Sequence, residues 1–87
     1  MSVIEIATVE AIDAALAEVR AELTAAMGAH DAMRGPHEGW AVIHEEEDEL
    51  WDEVRQRHPN NDRLRSEARQ VAAMAVRFMV DVTEPVR

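Results

Sequence analysis

The run His44-Glu45-Glu46-Glu47-Asp48-Glu49-Leu50-Trp51-Asp52-Glu53-Val54 is mostly carboxylate, yet it keeps apolar residues at helical spacing. At about 100° per residue, Ile43, Leu50 and Val54 fall on one side of a helix, with Trp40 and Trp51 at the edge of that stripe. A solvated acidic tail has no reason to keep such a stripe, so the segment must be a helix laid against other structure. Glu46, Glu49 and Glu53 form a second stripe beside the first. Carboxylates that border a packing seam sit where another helix can complete a cation site.

The rest of the chain also reads as helix. From about Thr8 to Ala29 no Pro interrupts, and Val9, Ile12, Leu16, Val19, Leu23 and Met27 recur at three- and four-residue steps. This predicts a first helix over 8–29, with Thr8 as its cap and Gly28 as its stop. The segment His30–Pro36 has no periodicity and ends in Gly-Pro, so it is a connection. A second helix is expected over 37–57, with Pro36 tolerated in its first turn, until His58-Pro59-Asn60-Asn61 breaks it. Asn61 or Asp62 then caps a third helix over 62–82, which Glu84-Pro85 ends. Leu64, Ala68, Val71, Ala75, Phe78, Met79 and Val82 form its expected packing stripe. The fold class implied is all-α, an antiparallel three-helix bundle forming one domain over 1–87.

Such a bundle has a thin core. A chain of 87 residues buries only roughly 60–65% of its unfolded surface, and this one leans on Ala, Val and Met, with one Phe, two Trp and no Tyr. The core is therefore expected to be completed by oligomerisation, as a homodimer or homotetramer. The net charge of −9 is the wrong sign for a phosphate-backbone binder, so no nucleic-acid partner is expected. An acidic protein that handles phosphate needs divalent cations to reverse the local field. Absence of cysteine rules out thiolate metal sites and disulfides. With no basic, hydrophobic leader at Met1–Glu5 and no long apolar run, the chain reads as cytoplasmic and free of membrane contact.

Glu46 and Glu49, three residues apart, project from neighbouring turns on one side of helix 2 and together can hold a hard cation such as Mg²⁺. Five acids in a row can equally do no more than solvate a helix face. Helix 3 repeats the arrangement, with Glu67 and Gln70 three apart beside its own apolar stripe and Met74, Arg77 and Asp81 continuing that side. Arg77 can reach a phosphate or pair with a helix 2 acid. Trp40 and Trp51 can stack a base but more often fill space, and Arg34, Gly35 and His37 precede a helix N-terminus that favours anions. His37 and His44 lack a further ligand for zinc, and no Gly-rich phosphate loop is present.

Taken together, Pro36-His37-Glu38-Gly39-Trp40, Glu45-Glu46-x-x-Glu49-Leu50-Trp51 and Glu67-x-x-Gln70-Val71-Ala72-Ala73-Met74-Ala75 resemble the MazG-like all-α nucleotide pyrophosphohydrolases. The likeness covers about Pro36 to Asp81. It implies hydrolysis of nucleoside triphosphates to monophosphate and pyrophosphate, with Mg²⁺, or alternatively Mn²⁺, held by acids within dimers or tetramers. By this resemblance Glu46, Glu49, Glu67 and Gln70 occupy the metal positions. Glu45 and Glu46 are the catalytic acids, and Trp40, His37 and Arg77 are candidate substrate contacts. Gln70 stands where the family usually has Asp, which removes one negative charge from the site. Restoring that Asp is expected to preserve or raise activity. The alternative implied by Gln70 is a non-catalytic acidic helical module, or a degenerate relative, that binds metal, nucleotide or a protein partner.

Overall fold

Ser2 begins the first helix. Its side-chain oxygen accepts a hydrogen bond from the Glu5 amide at 3.1 Å, and Glu5 adds negative charge to the first turn. In the computed structural model, which describes all of residues 1–87, this helix, α1, runs from Val3 to Ala29. It therefore starts well over a turn earlier than the Thr8 cap predicts; Thr8 lies inside it and donates its hydroxyl to the Ile4 carbonyl at 2.8 Å. Gly28 stays helical, and the helix stops one residue later.

The second helix, α2, spans Pro36–Val54, with Pro36 in the first turn. It ends short of Arg57 because the chain must turn before Pro59, and the residue preceding a proline avoids the helical region. The third helix, α3, spans Asn61–Phe78 and is capped by Asn60 rather than Asn61 or Asp62; the Asn60 Oδ1 accepts from the Arg63 amide at 3.1 Å. A single π-helical turn over Met79–Thr83 closes the element. No strand forms, and no helix is long and apolar enough to cross a membrane.

Helix α3 is the central element, and both α1 and α2 pack on it. Glu18 bonds Arg65 and Arg69, and further along Glu22 bonds Gln70, so α1 and α3 run in the same direction. Gly39 abuts Phe78, and Glu49 lies by Glu67, so α2 runs opposite to α3. The result is an up-down-up layer of 43 × 37 × 19 Å. Gly39 is what lets α2 approach: a Cβ there would lie 2.5 Å from Phe78 Cδ2 and 3.3 Å from the Met33 sulfur.

Two-sided packing overturns the expected core stripe. On the α3 wheel, Arg65, Arg69, Ala72 and Val76 face α1, and Glu67, Met74 and Phe78 face α2, on nearly opposite sides. The connection Asp31–Gly35 covers a third side, burying Ala73 and Arg77. That leaves Ala68 and Ala75 exposed and Leu64, Val71 and Val82 half-buried. The only well-buried apolar side chains are Met33, Ala73 and Met74. Trp40 and Trp51, expected to fill space, are 56% and 59% exposed, and Val54 is 46% exposed. The reason is that α2 presents only one flank to α3.

Asp81 fastens the connection to the layer. Its carboxylate, fully buried, accepts from the Met33 amide at 3.0 Å and from Arg87 Nε at 2.9 Å, and lies 3.4 Å from Arg77 Nε. The Arg87 hydrogen bond, the Met33 amide and the Arg87 and Arg77 charges outweigh burial and hold the Asp81 carboxyl below the usual carboxylate range. Arg87 also donates to the Met27 and His30 carbonyls, so one residue closes the end of α1.

Candidate metal centre

The packing of α2 on α3 brings Glu46, Glu49 and Glu67 together: one carboxylate oxygen from each lies within 4.8 Å of the others. Glu46 and Glu67 are half-buried and Glu49 is exposed, so the group sits at the edge of the seam. Burial, followed by the Glu49 charge, its hydrogen bond and the charges of Glu67 and Glu45, pushes the Glu46 carboxyl up to about 7. Burial and the charges of Glu49 and Glu53 raise Glu67 as well. Three carboxylates held this close repel one another until a proton or a cation intervenes.

The donor set fits a hard divalent ion. Oxygens around an octahedral Mg²⁺ lie about 2.9 Å apart when adjacent and about 4.1 Å when opposite, so a spread of 4.8 Å closes on such an ion with small side-chain shifts. One oxygen, Glu67 Oε2, is buried and accepts no hydrogen bond. An anionic oxygen without a donor is costly, and a proton or a cation relieves it.

Beside the acids lies an open cavity of about 650 Å³ whose wall includes Glu45, Glu46, Gln70, Met74, Arg77 and Arg34. Glu46 belongs to both the acid cluster and this wall, so a cation held by the cluster would face the cavity. Arg34 pairs with Glu38 at 2.6 Å on the rim, while Arg77 is buried and donates to the Asp31 carbonyl at 2.7 Å. Arg77 Nε makes no hydrogen bond, despite its ion pair with Asp81. The expected helix 2 acid is not its partner.

Not every predicted site residue arrives. Gln70 lines the same cavity as Glu46, but its amide nitrogen is turned to Glu22 of α1, to which it donates. Trp40 and His37 do not line the cavity; Trp40 stacks on His44 with ring centroids 5.6 Å apart, on the exposed flank of α2. Sequence reasoning missed Glu22, whose four-residue spacing from Glu18 beside the apolar face of α1 was the only available signal. It also passed over Asp31 as a cavity residue. Comparison with protein-family models, with curated proteins and with solved structures found no match.

Proposed function

We propose that this chain is a Mg²⁺-dependent nucleoside triphosphate pyrophosphohydrolase of MazG-like type, cytoplasmic and assembled as a homodimer or homotetramer. The observation that carries the reading is Glu46, shared between a carboxylate cluster with an unpaired buried oxygen and a cavity of nucleotide-accommodating size. Glu46, Glu49 and Glu67 would hold the ion. When bound, Mg²⁺ neutralises triphosphate charge and makes a coordinated water more acidic.

The chain's own residues supply the rest. Glu45, on the cavity wall, orients the attacking water and takes its proton as the water oxygen bonds to phosphorus. The bond from that phosphorus to the bridging oxygen breaks, and pyrophosphate leaves with the electron pair. Arg34, which Glu38 holds at the rim, and Arg77 place positive charge where phosphate oxygens would lie. Trp40 and His37 serve substrate only if a neighbouring subunit brings them to the cavity.

A second reading is a cation-binding module without hydrolytic activity. It is favoured by Gln70, which bonds Glu22 and adds no fourth charge to the cluster. Incubation of the folded protein with a panel of ribo- and deoxynucleoside triphosphates and Mg²⁺ separates the two. The enzyme releases pyrophosphate; Mn²⁺ binding without release from any substrate supports the module.

A further inference from the structure

The flat layer leaves α1 half outside it. Val3 to Ala14 are all exposed, a free stretch of about 18 Å at 1.5 Å per residue. It carries Ile6, Val9 and Ile12 in line with Leu16, none of them covered by the chain's own structure. At the other end of the same helix, Leu23 and Met27 join Val76 and Val80 in an open apolar groove. One half of the helix thus presents apolar side chains without a bed, and the other half helps form a bed without an occupant.

The surface area says how much must be covered. The chain exposes 6483 Å², whereas a folded monomer of 9.8 kDa exposes about 5,200 Å². The excess of about 1,300 Å² is larger than the roughly 800 Å² that each partner contributes to a stable interface. The radius of gyration of 14.9 Å, against about 12 Å for a compact chain of this length, reports the same open shape.

Charge fixes the register. Asp13 and Arg20 line the same groove, and neither forms an ion pair within the chain. They are about 10.5 Å apart along one helix and cannot meet there. We infer that the occupant is α1 of a second copy of this chain, packed antiparallel and centred between Leu16 and Ala17. That register sets Asp13 opposite Arg20 of the second copy, and Arg20 opposite its Asp13, in a self-complementary two-fold interface. It also lays Ile6 and Val9 over the groove of Met27 and Val80 in the other copy. The inference builds on the homo-oligomer already proposed and names its interface, but it draws on the uncovered apolar face and not on any hydrolytic activity, so its failure and the failure of the enzyme reading are distinguishable.

Size-exclusion chromatography with multi-angle light scattering on the full chain tests it. The wild type should give twice the monomer mass. D13R and R20D should each weaken self-association by about tenfold or more, since one substitution converts two attractions into two repulsions. The double swap D13R/R20D should restore the dimer, because the cross-copy pair is rebuilt with reversed polarity. L16E should give a monomer, with circular dichroism reporting whether helicity survives. A monomeric wild type, single reversals that leave the dimer intact, or a double swap that stays monomeric while folded would each overturn the proposal.

Discussion

Replacing Glu46 by Gln should make the metal-free protein more stable at alkaline pH and leave it unchanged at acid pH. In the folded chain, burial and the neighbouring acids raise the Glu46 carboxyl from its ordinary 4.5 to about 7. Between those values the folded chain keeps a proton that the unfolded chain releases. Stability therefore falls as pH rises through the window and stays low above it. At full weight the displacement is worth about 3.4 kcal/mol. Glu46 keeps solvent contact, so screening leaves roughly 1–2 kcal/mol. E46Q removes that penalty. Thermal unfolding followed by circular dichroism at pH 8 should show a midpoint roughly 5–15 °C higher than wild type, and at about pH 4, below the ordinary carboxyl value, the two curves should coincide. Added Mg²⁺ or Mn²⁺ should raise the wild-type midpoint at pH 8 and fail to raise that of E46Q. An E46Q protein less stable than wild type at pH 8, or one equally displaced at both pH values, would refute the proposed strain in the acid cluster.

Other perturbations probe the frame around the site. G39A pushes a methyl group into Phe78 and should cost about 1–3 kcal/mol in denaturant unfolding. D81N leaves Arg77 and Arg87 without their shared carboxylate and should cost about 3 kcal/mol. Because Asp81 titrates below its ordinary value, the stability it contributes should persist at neutral pH and be lost as pH falls through the acid range; urea midpoints across that range check the sign. Q70D, expected from the family pattern to preserve or raise activity, instead sets a carboxylate against Glu22. It should destabilise the fold by about 1 kcal/mol, and the added change E22Q should recover that loss.

Much of this architecture was legible in the residues. Apolar steps of three and four located all three helices, and the three-residue spacing of Glu46 and Glu49, with Glu67 on the next helix, located the acid cluster. Helix ends were less legible: Ser2 and Asn60 compete with Thr8 and Asp62 as caps, and only backbone geometry decides between them. The buried face of α3 was not legible, because the wheel shows where apolar residues lie, while burial depends on three coverings from different directions. Arg77 and Asp81 became interior through the connection at Asp31–Met33, which carries no periodic signal. For the same reason Gln70 turned to Glu22: its partner lies on a helix far away in sequence and parallel to its own.

The most direct measurement is product analysis after incubating the purified chain with nucleoside triphosphates and Mg²⁺, comparing wild type with E49Q. Glu49 is exposed and caps the acid cluster, so its loss should remove the ion while leaving the fold in place. Wild type should release monophosphate and pyrophosphate in equal amounts from at least one substrate, and chelation and E49Q should each abolish that release. Folded wild-type protein that yields neither product from any nucleotide, or yields them equally well as E49Q, would contradict the proposed hydrolysis.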